Sequence, residues 1–267
     1  MIMRKPTKAK PPTSATGQAS AGQNPSVAGQ EPHLPARERS SDADVADFIA
    51  KVKSLAPATA AGRGRLIFAM DATMSRAPTW DMALQLQGGM FRAVKEVGGL
   101  DVQLVYFRGI GECRASKWVS DPDALARLMT SVACHGGLTQ IGKVLTHAVD
   151  ESGKRKISAL VYVGDSMEED IDRLCAIAGK LALLGVPVFL FQEGDDARAQ
   201  RAFREVARLT KGAFCRFDPG SAHQLRDLLT AVAVYAAGGH KALLTLSSQK
   251  HGAGARLLLE QLNPRGH

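Results

Sequence analysis

The sequence contains no pair of cysteines at the close spacing that zinc sites and redox motifs require. Its four cysteines lie far apart along the chain: Cys113, Cys134, Cys175 and Cys215. Isolated thiols of this kind are typical of reduced, mostly buried side chains in a reducing compartment. The cysteine pattern therefore argues against a structural zinc site and against a disulfide framework.

Long apolar runs are also missing. No stretch approaches the roughly 18–20 uninterrupted apolar residues of a membrane-spanning helix. The first residues, MIMRKPTKAKPPTSATG, are basic but lack the apolar block of a secretory signal. Hydrophobic residues make up 45% and charged residues 22% of the 267 residues, as in ordinary globular proteins. We therefore expect a cytoplasmic, bacterial protein without a membrane span.

Large apolar side chains are scarce in residues 1–40, which are rich in Pro, Ser, Gly and Gln. This segment has six basic and two acidic side chains, so it carries half of the formal net charge of +8. It cannot bury enough apolar surface to offset the entropy lost on folding, and we predict a disordered basic tail. Because its charges are dilute and no aromatic residues lie among them, a solubilising leader is favoured over nucleic-acid binding.

The rest of the chain divides into three predicted parts. Residues 41–63 predict a short helix and a linker, residues 64–237 a domain, and residues 238–267 an extension with a short helix at 254–262. The domain has six strand-like stretches, at 66–70, 101–107, 112–119, 157–163, 186–191 and 212–217. Helix-like segments lie at 78–97, 122–134, 141–151, 167–184, 197–210 and 221–237. This alternation predicts an α/β fold with a doubly wound, mainly parallel six-stranded sheet, covered by helices on both faces.

Two of these strands end in an aspartate, Asp71 in LIFAMD and Asp165 in ALVYVGD. Open α/β sheets bind ligands beyond the carboxyl ends of their strands, where the strand order reverses. With the stretch at 112–119 as an antiparallel edge strand, the order becomes 3-2-1-4-5-6, and the first and fourth strands are neighbours. The two carboxylates would then face each other across the crevice.

Three hydroxyl side chains belong to the same region. In an extended segment after Asp71, Thr73 and Ser75 project to the same side as the carboxylate. Thr139 follows two glycines in CHGGLTQIG, which permit a tight loop, and comes just before a helix. Together with Asp71 and Asp165 these hydroxyls make five oxygen donors, a set that suits a hard divalent cation: Mg²⁺, or else Mn²⁺ or Ca²⁺.

The segments DATMS, GGLT and VGD, in this order, resemble the metal-ion-dependent adhesion site of the von Willebrand factor A family. The family pattern is D-x-S-x-S, then a distant Thr, then a distant Asp. The passage REVARLTKGAFCRFD also resembles the family's closing helix-Thr-Gly-Gly-strand passage. The resemblance covers residues 64–237 and implies a Rossmann-like fold with a metal site. The implied metal ligands are Asp71, Thr73, Ser75, Thr139 and Asp165.

In that family, the open position of the cation is usually filled by a carboxylate from a partner protein. The resemblance therefore implies a non-catalytic interaction module whose partner offers an acidic side chain, with no small-molecule substrate. The sequence departs from the family pattern at Arg76, where Met is frequent, and at Gly164 and Ser166, where Thr and Gly are usual. A guanidinium at position 76 could weaken the bound cation or help to hold an anionic partner.

Each signal also has a simpler explanation when it is taken alone. Asp, Ser and Thr are common helix caps, and Thr139 is well placed to be one. The acidic run SMEED, residues 166–170, is explained by Ser166 as an N-cap with Glu169 reaching back to it. The combination of three motifs in the right order on matching strands favours the metal site.

The main alternative is an enzyme. VYVGDSMEED resembles the fourth motif of haloacid dehalogenase-type phosphatases, and DATMS loosely resembles their first motif. On this hypothesis Asp71 attacks a phosphoryl group, and Mg²⁺ is held by Asp71, Asp165 and a further candidate, Asp170. Such phosphatases usually carry a second Asp two residues after the nucleophile, where this chain has Thr73. The hypothesis also leaves GGLTQIG unexplained, so we predict the interaction module.

Overall fold

A computed structural model describes residues 63–95, 98–249 and 252–262. The predicted tail at 1–40 and nearly all of the predicted helix and linker at 41–63 lie outside the described residues. Six strands are described: β1 (Gly64–Asp71), β2 (Leu100–Arg108), β3 (Glu112–Val119), β4 (Ala159–Gly164), β5 (Val188–Glu193) and β6 (Ala213–Phe217). The described helices are α1 (Ala77–Val94), α2 (Pro122–Thr130), α3 (Ile141–Lys154), α4 (Ile171–Leu183), α5 (Ala197–Thr210), α6 (Ala222–Ser247) and α7 (Ala253–Leu262).

The six strands form one sheet in the order β3-β2-β1-β4-β5-β6. All neighbours pair in parallel except β3, which runs antiparallel to β2 at one edge. The order reverses between β1 and β4, where Met70 pairs with Val163. The predicted doubly wound six-stranded fold is therefore confirmed, and the residues that follow β1 and β4 meet at the carboxyl edge of the sheet.

Apolar side chains cover both faces of the sheet because successive residues of a strand point to opposite sides. Leu66 and Phe68 of β1 belong to a core with α1, α2, α6 and α7. Ile67 and Ala69 belong to a second core with α3, α4 and α5. β1 is thus buried along its whole length, which accounts for the continuous apolar run before Asp71.

α6 is long and apolar enough to span a membrane when only length and composition are considered. In the structure, 56% of the most apolar 18-residue stretch of α6 is buried. Its apolar residues contribute to the core beside β1. This is the usual environment of a core helix. The backbone is non-helical at Gly239, with φ 66° and ψ −162°, and the predicted domain boundary at residue 237 falls inside this helix.

α7 covers the sheet edge formed by β6. The side-chain oxygen of Gln261 accepts a hydrogen bond from the N–H of Phe214 at 2.7 Å, and its amide group donates to the carbonyl oxygen of Phe214 at 2.6 Å. Unpaired backbone groups on an edge strand are a common cause of aggregation. Gln261 therefore pairs the outward-facing backbone groups of Phe214 on this edge strand.

We expect Gln261→Ala to lower the free energy of unfolding by about 1–2 kcal/mol, because two backbone groups of β6 lose their partners. Equilibrium urea unfolding measures this change. The neighbouring exposed residue supplies a control, Glu260→Ala, for which we expect a change below about 0.5 kcal/mol. Equal stability of the two variants would show that the contact of Gln261 with β6 is not stabilising.

Candidate metal centre

Asp71 is the last residue of β1 and is fully buried. Its Oδ1 accepts a hydrogen bond from the N–H of Thr73 at 2.7 Å. Its Oδ2 is buried too and has no hydrogen-bond partner among the described residues. Burial raises the pKa of Asp71 to about 6, since the charged carboxylate is removed from water. An unpaired buried carboxylate oxygen is costly and calls for a cation or a donor.

A chain of contacts leads from Asp71 to Asp165 through two hydroxyls. Thr73 Oγ1 and Ser75 Oγ lie 3.4 Å apart, and Ser75 Oγ donates to Asp165 Oδ2 at 3.1 Å. Thr73 is buried, Ser75 is exposed, and the side chain of Asp165 is 26% exposed. The structure thus brings four of the five predicted ligands together, on the loops that follow β1 and β4.

Thr139, the fifth predicted ligand, is engaged elsewhere. Its Oγ1 donates to Glu168 Oε2 at 2.7 Å and accepts from the N–H of Glu168 at 3.2 Å. Its own N–H donates to the same carboxylate oxygen at 3.0 Å. Within the described ranges, no hydrogen bond joins Thr139 to the other four predicted ligands. A hydroxyl oxygen has two lone pairs, so Thr139 Oγ1 keeps one acceptor site beside its two contacts with Glu168.

The acidic run after Asp165 contacts both its own helix and this neighbouring loop. Asp170 is the N-cap of α4, and Ser166 instead donates to Asp165 Oδ1 at 3.1 Å. Glu169 accepts hydrogen bonds from the first two N–H groups of α3, at 2.5 and 2.9 Å. The predicted capping by Ser166 and Glu169 is therefore wrong, because the two glutamates bind the segment that begins α3.

Two glycines fix the backbone around the site. A Cβ on Gly137 would lie 2.3 Å from the backbone nitrogen of Gly109, in the turn between β2 and β3. A Cβ on Gly164 would lie 2.4 Å from the hydroxyl oxygen of Tyr162. A larger residue would therefore displace the loop before α3 at position 137, and would collide with the ring of Tyr162 at position 164.

Arg76 places a positive charge beside these groups. Its side chain is 3% exposed, and its Nη1 forms an ion pair with Glu193 Oε2 and lies 3.7 Å from Asp165 Oδ2. Nε and Nη2 of Arg76 are buried without a hydrogen-bond partner in the described part of the chain. Glu193 also accepts hydrogen bonds from the hydroxyl of Thr79 and from the N–H of Gly220. Asp165 therefore already has a cation close to it.

Glu193 was not among the predicted site residues, although a signal for it was present. It ends β5 in the run VFLFQEG, so an apolar strand is followed directly by an acid. The same pattern marked Asp71 and Asp165. The three acids end or directly follow three adjacent strands of the sheet.

The donor chemistry of the site fits a hard divalent cation. Carboxylate and hydroxyl oxygens are the ligands that Mg²⁺, Mn²⁺ and Ca²⁺ prefer. In the ranges that the structure describes, no group of three or more His, Cys, Asp or Glu side chains is arranged to hold a metal. A cation here would therefore depend on the hydroxyls of Thr73 and Ser75 in addition to Asp71 and Asp165.

No family model and no curated protein matches the sequence. Solved structures match the fold. The SpRpn10 VWA domain aligns with a TM-score of 0.52 at 12% identity, over 64% of this chain and 95% of that one. Proximal thread matrix protein 1 from the mussel byssus aligns with a TM-score of 0.51 at 18% identity, over 65% and 48%. The pilus adhesin SpaC from Lactobacillus rhamnosus GG aligns with a TM-score of 0.50 at 11% identity, over 64% and 29%.

These structures share the fold with this chain at low sequence identity. The alignment spans nearly all of the Rpn10 domain, about half of the mussel protein and less than a third of the pilus adhesin. The strand order and the antiparallel edge strand agree with the architecture that the sequence motifs imply. This chain carries a domain of the von Willebrand factor A fold.

Proposed function

We propose that this chain is a cytoplasmic, non-catalytic protein-interaction module that uses a divalent cation to bind an acidic side chain of its partner. The observation that carries the proposal is the buried Oδ2 of Asp71, which has no partner among the described residues. The other oxygen of this carboxylate, Oδ1, contacts Thr73, and the contacts continue through Ser75 to Asp165. A cation at this place would satisfy the orphaned oxygen.

Each side chain has a distinct role in this proposal. Asp71 and Asp165 supply the negative charge that balances a divalent ion, and Thr73 and Ser75 supply neutral oxygens. Thr139 would join them through the remaining lone pair of its hydroxyl oxygen. Mg²⁺ is the first choice, and Mn²⁺ and Ca²⁺ share its preference for oxygen. The bound ion would keep one open coordination position, which a carboxylate of the partner protein would fill.

The surface around the site has room for a partner. An open cleft of about 480 Å³ borders Ser75, Asp165 and Ser166. Two large apolar side chains lie on the neighbouring loops and are exposed, Met74 by 60% and Leu138 by 56%. Exposed apolar residues beside a polar site are typical of surfaces that bind other proteins.

The proposal is tested by affinity purification on the immobilised full chain, with Mg²⁺ or with EDTA. We expect partner proteins to be retained in Mg²⁺ and released by EDTA, because the cation forms part of the interface. Asp71→Asn is the test variant, since it removes one charge from the site, and we expect it to retain nothing that EDTA releases from the wild type. Retention that is equal in all three conditions would contradict a metal-dependent interface.

The phosphatase hypothesis makes a different prediction for the same variant. It requires Mg²⁺-dependent hydrolysis of p-nitrophenyl phosphate by the wild type and loss of this activity in Asp71→Asn. Our proposal expects both proteins to give the same background rate. In the structure, position 73 offers a backbone N–H to Asp71 and no carboxyl group to act as a general acid.

A further inference from the structure

We propose that Arg76 is a tethered cation that competes with the divalent ion for Asp165. The site would then have a metal-free form, in which the guanidinium neutralises Asp165, and a metal-bound form, in which Arg76 pairs with Glu193 alone. This inference rests on the proposed function, because it concerns the regulation of the same site.

The competition centres on one oxygen atom. Asp165 Oδ2 accepts a hydrogen bond from Ser75 Oγ at 3.1 Å and lies 3.7 Å from Arg76 Nη1. A cation held by Ser75 and Asp165 would compete with Arg76 for the charge of this carboxylate. Its positive charge would also stand close to the guanidinium. The divalent ion and Arg76 therefore oppose each other at Asp165.

Burial makes this opposition effective. Arg76 is 3% exposed, so water and salt screen its charge much less than they would at the surface. Its Nε and Nη2 have no hydrogen-bond partner within the described residues. Only Nη1 takes part in the ion pairs with Asp165 and Glu193. The guanidinium is thus charged, weakly screened and held at one nitrogen.

Glu193 decides how much of this charge acts on Asp165. It is buried, and the hydroxyl of Thr79 and the N–H of Gly220 hold it in place independently of Arg76. While Glu193 is ionised it attracts the guanidinium away from Asp165. Neutralising Glu193 would leave Asp165 as the nearest carboxylate partner of Arg76. The two residues should therefore have opposite effects on metal affinity.

The test is a titration of the full chain with Mn²⁺, followed by electron paramagnetic resonance. We expect Arg76→Met to bind Mn²⁺ at least about tenfold more tightly than the wild type, because a buried like charge is removed. We expect Glu193→Gln to bind it at least about threefold more weakly, because Arg76 then turns to Asp165. Arg76→Lys keeps the charge, and its affinity should stay closer to that of the wild type than to that of Arg76→Met.

Arg201→Met is the matched control, since it removes the same charge from an exposed position on α5. We expect it to change the affinity by less than about twofold, since exposed charges are screened. Thermal unfolding identifies any variant that fails to fold, and Glu193→Gln and Arg76→Lys then still test the inference. Tighter binding by Glu193→Gln, or no gain in a folded Arg76→Met, would overturn the inference alone. Absence of Mn²⁺ binding in every variant would overturn the proposed function as well.

Discussion

Asp71→Asn should abolish the binding of Mg²⁺ and Mn²⁺ to this chain, with a loss of affinity of at least about 100-fold. Asp71 supplies one of the two carboxylates of the candidate site, and its Oδ2 has no other partner in the described part of the chain. A neutral amide cannot balance the charge of the cation. The side chain keeps its shape, so the N–H of Thr73 can still donate to Oδ1. Isothermal titration calorimetry with each metal measures the loss.

Asp172→Asn is the matched control for this prediction. Asp172 lies in the first turn of α4, is exposed, and loses the same charge in the substitution. We expect its metal affinity to stay within about twofold of the wild type, because exposed charges are screened. Equal heats for the wild type and Asp71→Asn would contradict the assignment of Asp71 as a ligand.

The same substitution should stabilise the domain when no metal is present. Burial raises the pKa of Asp71 from an ordinary 3.8 to about 6, which means that the folded state disfavours the carboxylate. This difference between the two pKa values corresponds to a loss of about 3 kcal/mol in the free energy of unfolding at neutral pH. Part of this gain is lost because the amide Nδ2 would itself lack a partner. We therefore expect Asp71→Asn to raise the free energy of unfolding in EDTA by about 1–3 kcal/mol at pH 7.

The expected difference in stability between the two proteins depends on pH in a defined direction. The folded wild type binds a proton at Asp71 more tightly than the unfolded chain does, so its contribution to stability is present below about pH 4 and is lost as the pH rises through about 6. The Asn variant has no carboxyl group at this position, so it lacks this pH-dependent contribution to stability. The difference in stability between the two proteins should grow between about pH 4 and 6 and stay constant above. Urea unfolding in EDTA across this range measures it.

Two results would contradict this second prediction. One is a difference between Asp71→Asn and the wild type that does not change with pH. The other is an Asn variant that is less stable than the wild type at pH 7. If both predictions hold, one side chain promotes metal binding and destabilises the metal-free fold. That combination distinguishes a binding residue from a structural one.

The sheet could be predicted from the sequence because its signals are local. Each parallel strand is a short apolar run, and helices of suitable length separate these strands, which leaves few possible topologies. Helix ends were predicted less accurately. The double glycine at 238–239 indicates an end at residue 237, but α6 runs to Ser247 because the helix resumes after one non-helical residue, Gly239. α4 begins at Ile171 rather than at the predicted residue 167, since Glu168 and Glu169 bind the neighbouring loop and Asp170 caps the helix.

Some contacts of the candidate site could also be predicted from the sequence, and others could not. Asp71, Thr73 and Ser75 lie within five residues of one another, so their proximity follows from their closeness in sequence. The extended conformation predicted for this segment is wrong, because Met74–Arg76 form a 3₁₀-helix. The contact of Thr139 with Glu168 joins residues 29 positions apart, and no sequence pattern could specify it. Arg76 directly follows the segment DATMS, so its closeness to the site could be predicted. Its ion pair with Glu193 could not, because it depends on the place of β5 in the sheet.

Anomalous diffraction from crystals of the full chain grown with Mn²⁺ tests the central claim most directly. We expect one peak beside Asp71 Oδ2, within reach of the oxygens of Thr73, Ser75 and Asp165. The same crystals would show whether the hydroxyl of Thr139 has moved from Glu168 toward the ion. An ordered site without a manganese peak at these four side chains, at a concentration that saturates other Mn²⁺ proteins, would contradict the claim.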